Sequence, residues 1–481
     1  MIAVQRNTAV VALPATALSA IVLLALPAGP RAVAWPALVI LNVAIWFLVI
    51  LWNRDRELPL FELGTISVAF TALYAAYPLV AYLLADGLWT AASDRRLRVW
   101  APDMRELGRY SWGSVAYIVG LAGVYLAVRG RASAAGVRPH GLSTTGAMIV
   151  VWLCLVLLTY FAWLWVWFGV TYNPSYQDVQ LGQVALARDL PYVWQQISHN
   201  ARGILSILKL CALAFLMHRW SSIPARVVLI AWLVGEIAGT VLRMGARTEI
   251  VVLLLSAVLL YHRIVRPLDF KVIAVAAPAL VCAALLFGFA RDFMRVGSSS
   301  VTGSYWAAAN EFQILLGTGF DLHKRREAGI LGNPPWQVYA ADALRLVPSQ
   351  MLGVQKIEPS DWYLEQLGVT TPGVGMMFGV MGQAAIGYGT IELLLRGSML
   401  GLLFALVHRA YARRARGFWV TMLYLYLCLW SYYTIRASSF YFVYVIVYRF
   451  LPTMLFVMVA SDLIGRAARS SPSVVRLGSA R

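Results

Sequence analysis

The sequence predicts an all-α polytopic membrane protein, with about twelve transmembrane helices and a cap on the outer face. Three observations carry this reading. Of 481 residues, 60% are hydrophobic and only 13% charged, about half the ~25% charged content of a soluble domain. Mean hydropathy is +0.70, more apolar side chain than one water-soluble core could hide. Apolar windows close to ~20 residues long, the length that crosses about 30 Å of hydrocarbon, recur along nearly the whole chain. Such windows must be helical, because lipid offers the backbone no hydrogen-bond partners.

Taken in order, the spans fall at 8–28, 34–52, 64–84, 111–128, 146–170, 203–218, 225–241, 249–262, 272–290, 389–408, 418–434 and 439–460. The first follows Arg6 as a signal peptide would. It is long, interrupted by Pro14 and followed almost at once by another span, so it reads as an uncleaved helix. Short loops rich in arginine set the orientation: 53–63 with Arg54 and Arg56, 129–145 with Arg129, Arg131 and Arg138, then 219–226, 263–271 and 409–417. All fall on one side, which the positive-inside rule makes cytoplasmic, with both termini there. The longer segments 85–110, 171–202 and 291–373 hold nearly as many basic residues on the other side.

The formal charge of +18 does not point to nucleic acid. The arginines stand at the ends of apolar runs, where they act as topology signals and headgroup anchors to membrane lipids. Cys154, Cys211, Cys282 and Cys428 all lie in apolar runs without metal-ligand spacing, so neither disulfide nor metal is expected. There is no Walker loop, GxGxxG or HExxH, and no cofactor is implied.

We read residues 1–481 as a single membrane domain. Within it, 291–373 is a large periplasmic cap loop, too long to be structureless, with helical periodicity from Trp306 to Leu316 and breaks at Asn333-Pro334-Pro335 and Thr371-Pro372-Gly373. The glycine-punctuated stretch 374–388 is too short to span and reads as a re-entrant or interfacial helix.

Candidate chemistry collects on the outer face. Arg243, Arg247, Arg291, Arg295 and Arg436 stand at span ends there. Guanidinium forks bind phosphate oxygens with charge-assisted hydrogen bonds, so the set suits a lipid-linked pyrophosphate. Headgroup anchoring is the alternative. Glu311, Asp321 and His323 lie in the cap and are candidates for the general base, which must reach a substrate hydroxyl. Solvated helix ends, with Asp321 pairing Lys324 or Arg325, explain them equally well. Inside spans, Lys209 with Glu236, and Glu392 with Arg396, read as neutralising pairs. No internal repeat is visible.

Four pieces together resemble the bacterial oligosaccharide repeat-unit polymerases, the O-antigen polymerase (Wzy-like) group: LPYVWQQISHNARGILSILK (190–209), RMGARTEIVVLLLSAVLLYHR (243–263), the run LVPSQMLGVQKIEPSDWYLEQLGVTTPGVG (346–375) leading into GQAAIGYGTIELLLRGSMLG, and TIRASSF with Arg436. The likeness covers roughly residues 190–450. Two departures stand out: Gln383 occupies a position where many members carry an acid, and Gly373-Val374-Gly375 replaces a triple glycine. The resemblance implies a GT-C-like, metal-independent glycosyltransferase of the bacterial inner membrane. It would move a growing glycan from undecaprenyl pyrophosphate onto a lipid-linked repeat unit at the periplasmic face, and would work beside a chain-length regulator and a flippase of the same pathway. An O-antigen ligase shares this architecture, and a polysaccharide flippase or other transporter is the non-enzymatic rival. A transferase using polyprenyl-phosphate sugars is disfavoured, because the first outer loop lacks an acidic pair.

Overall fold

The computed structural model describes residues 11–85, 103–141, 192–269 and 311–470, apart from 56, 132, 134–136, 243–246, 348–350, 354–355 and 367–378, together with scattered positions within 146–157 and 271–275. Among the described residues every regular element is a helix. Among the described residues six helices are long and apolar enough to cross a membrane: Ala28–Asp55, Leu63–Leu84, Met104–Arg129, Thr390–Arg413, Phe418–Arg436 and Tyr441–Ala460. The chain is therefore a multi-pass membrane protein. Each of the six coincides with a predicted span. Those predicted at 8–28, 203–218 and 249–262 appear as the shorter apolar helices Leu13–Ala25, Leu205–His218 and Ile250–Val265. Residues 158–170 and 276–290, which carry most of two further predicted spans, lie outside the described residues.

The chain divides into two compact units. The first comprises Met1–Val137, Pro267–Arg414 and Tyr424–Tyr444. Its helices are α1 (Leu13–Ala25), α2 (Ala28–Asp55), α3 (Leu63–Ala85) and α4 (Met104–Arg129), which are followed in the chain by α5 (Tyr192–His218), α6 (Ile223–Leu242) and α7 (Arg247–Leu260) of the second unit. The first unit resumes with α8 (Glu311–Glu327), α9 (Trp336–Ala343), α10 (Pro359–Gln366), α11 (Gly379–Ile386) and α12 (Thr390–Arg413). It ends with most of α13 (Phe418–Trp430), α14 (Tyr433–Arg436) and most of α15 (Tyr441–Val445), before α16 (Leu451–Ser470) of the second unit.

The centre of the first unit is the parallel pair α4 and α12, and glycine makes it possible. A Cβ at Gly397 or Gly401 would run into the carbonyl oxygens of Tyr117 and Leu121, and one at Gly120 would lie 2.7 Å from the Leu394 carbonyl oxygen. Gly397 and Gly401 are four apart, the small-residue spacing that lets membrane helices approach backbone to backbone. The other face of α12 presents Ile391, Leu395, Met399, Leu402 and Leu406, all exposed, which is stable only against lipid. Helix α2 runs parallel to α4, with Gly108 against the Ala32 carbonyl and Phe47 5.7 Å from Tyr125. Helix α3 runs antiparallel, with Gly64 against Tyr125.

A charge cluster closes the end of this bundle where α4 finishes. Arg129, with a fully buried side chain, bonds Asp55 and Glu62, the latter at 2.5 Å through Nε. The Tyr125 hydroxyl donates to Glu62 at 2.6 Å. The Leu63 amide donates to the Tyr424 hydroxyl at 2.7 Å, and that hydroxyl lies 2.6 Å from His408 Nδ1. Arg129 belongs to one of the loops read as topology signals, yet its guanidinium is an internal cross-link. Breaking such a buried pair by removing one partner is strongly destabilising, by roughly 3–5 kcal/mol.

At the other end, where α4 begins, α8 and α11 pack side by side in the same direction. Gly379 meets Leu315, Gly319 meets Gly382, and Arg326 donates to the carbonyl oxygens of Ala385 and Gly387. Phe312, on the first turn of α8, sits between Tyr74 and Tyr77 of α3 at 4.6 and 5.4 Å. Lys324, on the last turn, reaches Glu106 of α4 at 2.9 Å. Lys324, Arg325 and Arg326 suit the negative end of the helix dipole there. The helical periodicity expected from Trp306 thus belongs to a helix described from Glu311 and running on to Glu327. Leu322, Leu331, Val338, Trp362, Tyr363, Ala385 and Ile386 form an apolar cluster that joins α8 to α11. Gly389, at φ +62°, turns the chain from α11 into α12.

In the second unit α5, α6 and α7 pack against one another. The pair expected between Lys209 and Glu236 is present at 2.5 Å, and Trp232 Nε1 donates to the same carboxylate at 3.3 Å.

Candidate functional site

The helix entering from α13 is interrupted. Turns separate α13, α14 and α15 between Trp430 and Tyr441. The Tyr117 hydroxyl, midway along α4, donates to the Thr434 carbonyl at 3.3 Å, so the interruption lies inside the bundle. Two of its hydroxyls are locally satisfied: Ser431 bonds the Cys428 carbonyl at 2.8 Å and Thr434 the Ser431 carbonyl at 2.7 Å, while Ser438 Oγ is buried without a hydrogen-bond partner. Non-helical backbone at membrane depth is tolerated only where protein buries it or a cavity is lined.

Arg436 ends α14 within this interruption. Its guanidinium carbon stands 5.5 Å from the Tyr433 ring centroid and 5.8 Å from that of Tyr432, a cation–π seat for a charge inside an apolar bundle. The sequence places Arg436 at a span end. The structure puts it on a short helix within the bundle.

Beside the interruption lies a second polar centre. Arg396, on the second turn of α12, donates to Glu392 through Nε at 2.8 Å and through Nη2 at 2.7 Å. Its Nη1 reaches Asp342 Oδ2 at 2.8 Å, Ser439 Oγ at 3.2 Å and Gln383 Oε1 at 3.3 Å. Gln383 Nε2 in turn donates to the Ala437 carbonyl at 3.1 Å, tying α11 to the interrupted helix. The other oxygen of Glu392 accepts from the Tyr388 amide at 2.8 Å. The pair expected of Glu392 and Arg396 is therefore present and is one part of a larger network. Two carboxylates share one guanidinium. Asp342, only 4% exposed, keeps Oδ1 without a hydrogen-bond partner. Tyr339, Asp342, Pro359, Gln383, Ile386 and Arg396 line a small cleft here. Burial pushes the Tyr339 phenol above its ordinary value, and Glu392 adds to the rise.

The residues singled out from sequence are distributed otherwise. Asp321 is buried, with Oδ2 held by Arg325 at 2.7 Å and by the Tyr363 hydroxyl at 3.1 Å. His323 points elsewhere from the same helix, 3.2 Å from Glu327 and 5.5 Å from the Tyr110 ring centroid. Two residues along a helix turn the side chain through about 200°, so α8 cannot bring both to one substrate atom. Burial lowers the His323 pKa below the ordinary imidazole value, while Glu327 opposes the shift. Glu311 begins α8, but its side chain lies outside the described residues, as does that of Arg247 at the start of α7. Arg243, Arg291 and Arg295 lie outside them altogether. Among the described residues no three His, Cys, Asp or Glu side chains gather as a metal site. Cys154, Cys211 and Cys428 are free thiols.

Asp342, Ser439 and Tyr339 went unmarked in the sequence, where nothing separates them from other polar residues. Gln383 stood out only as a departure from the resembled pattern. The one accessible signal was Arg396, a charge inside an apolar span that requires partners. No family model, no curated protein and no solved structure matches this chain.

Proposed function

We propose that the protein is a glycan polymerase of the bacterial inner membrane, transferring a growing polysaccharide from undecaprenyl pyrophosphate onto a lipid-linked repeat unit at the periplasmic face. The observation that carries the reading is Arg436, a permanently charged group held on two tyrosine faces in an interrupted helix whose Ser439 meets Arg396 of the Asp342 cluster. Ionisable groups inside a membrane bundle are costly and mark sites of function. A guanidinium stabilises a departing pyrophosphate, on which negative charge accumulates in the transition state. A bundle open to lipid can align two lipid-borne substrates and replace a slow encounter by a held geometry. The sequence likeness to O-antigen polymerases supports the same reaction.

The test is the length profile of the surface glycan in a strain lacking the gene. Wild-type protein restores long chains. Arg436→Ala, expressed at the same level, leaves single repeat units, and Arg436→Lys rescues poorly because the fork geometry is lost. Long chains made by Arg436→Ala would remove the phosphate role. Lipid-linked polymer that accumulates without the protein would instead indicate the ligase.

The interrupted helix also favours a second reading. Broken helices near mid-membrane bind substrate in transporters. A transporter would move the lipid-linked unit without lengthening it, so product length separates the two.

A further inference from the structure

We propose that Asp342 is the general base of this reaction, taking the proton from the acceptor sugar hydroxyl at its free Oδ1; the proposal rests on the glycan-transfer reading. Four observations point to Asp342 rather than to its neighbours. Its side chain is 5% exposed; Oδ2 is fixed by Arg396 at 2.8 Å, and Oδ1 is buried without a hydrogen-bond partner. Glu392, the other acid of the cluster, has both oxygens engaged, one by Arg396 and one by the Tyr388 amide. Asp321 also keeps one oxygen without a partner, but it sits against Tyr363 and is not among the residues lining the cleft. The cleft beside Asp342 has room for a group about the size of one water molecule, which is the size of a hydroxyl.

The pairing favours this role. Asp342 and Glu392 both pair with the guanidinium of Arg396, so the cleft offers a hydroxyl proton an acceptor that is already held in place. In the step, the acceptor O–H proton passes to Asp342 Oδ1, and the acceptor oxygen forms a bond to the anomeric carbon of the donor glycan. The bond from that carbon to the pyrophosphate oxygen breaks, and its electron pair leaves with undecaprenyl pyrophosphate. Asp342 then releases the proton to solvent. Arg396 is a positioning residue, because all its described bonds go to protein.

The experiment measures elongation of an undecaprenyl-pyrophosphate-linked repeat unit by the full-length protein in detergent, with kcat and KM determined for wild type, Asp342→Asn and Asp342→Glu. Removing a general base lowers the rate by roughly 100- to 10,000-fold. Asp342→Asn keeps the shape and an oxygen for Arg396, so its kcat should fall at least ~100-fold while KM stays within a factor of a few. Should Asp342→Asn not fold, Asp342→Glu keeps the charge and displaces the free oxygen, and it should turn over more slowly than wild type by ~10-fold or more. Wild-type kcat in either folded variant overturns the base assignment and leaves the polymerase reading standing. A rise in KM at unchanged kcat overturns it also, in favour of a binding role. Absence of elongation by the wild-type protein overturns both readings.

Discussion

His323 shows how burial sets the chemistry open to one side chain. Packed against the Tyr110 ring, it has an imidazole pKa lowered by desolvation, with Glu327 and Glu106 pulling the other way and Lys324 and Arg326 adding to the shift. The folded protein therefore binds this proton less readily than the unfolded chain does. The sign follows by linkage: the contribution to stability is full above the ordinary imidazole value, near 6.5, and is lost as pH falls through that value toward the depressed folded one. Thermal melts of the detergent-solubilised protein should show the melting temperature falling as pH drops from 7.5 to ~5.5. In His323→Gln the fall should be visibly smaller. Equal slopes in the two proteins would mean that other groups carry the pH response.

At the scale of the element, glycine decides which helices touch. The approach of α4 and α12 depends on Gly397 and Gly401 lying over backbone carbonyls, whereas a Cβ at Gly123 of α4 would meet nothing within 4 Å. Gly397→Ala should therefore destabilise the protein by about 1–3 kcal/mol through overpacking. Gly123→Ala should be neutral or stabilising by up to about 1 kcal/mol, since alanine costs less than glycine in a helix. Melting temperatures of the two variants check this directly, and equal effects would contradict the packing account. The long apolar helices were legible from the sequence because hydropathy and length are local properties. All six of the spanning helices coincide with predicted spans. What was not legible depends on contacts distant in sequence. The interruption at Ser431–Phe440 reads as an ordinary loop between spans, and only the bond from Tyr117 to Thr434 reveals that it lies midway along α4. Likewise α11 is a glycine-punctuated run whose place beside α8 is set by Gly319 and Gly382 meeting across about sixty residues of chain.

Across the first unit, charge is concentrated at two levels with an apolar packed stretch between them. Asp55, Glu62, Arg129 and His408 gather where α4 ends, and Arg396, Glu392 and Asp342 gather toward the end where it begins. The first group cross-links α2, α3, α4 and α12. The second ties the short helix α9 to α12 and, through Gln383, to the interrupted helix. Sequence reasoning found the class of the molecule and the Glu392–Arg396 pair, because spacing along one helix is a local property. It could not find Asp342, whose partner Arg396 is more than fifty positions away, nor tell that Asp321 would be claimed by Arg325 and Tyr363. An acid in a cap looks the same in sequence whether it faces a cleft or a hydrophobic cluster.

Glycan transfer between lipid-linked substrates can be read out by incubating the purified protein in detergent with one homogeneous undecaprenyl-pyrophosphate-linked repeat unit and weighing the products by mass spectrometry. A polymerase yields a ladder of masses spaced by one repeat unit, with undecaprenyl pyrophosphate released in step. A single unchanged mass from well-folded protein would rule out transfer.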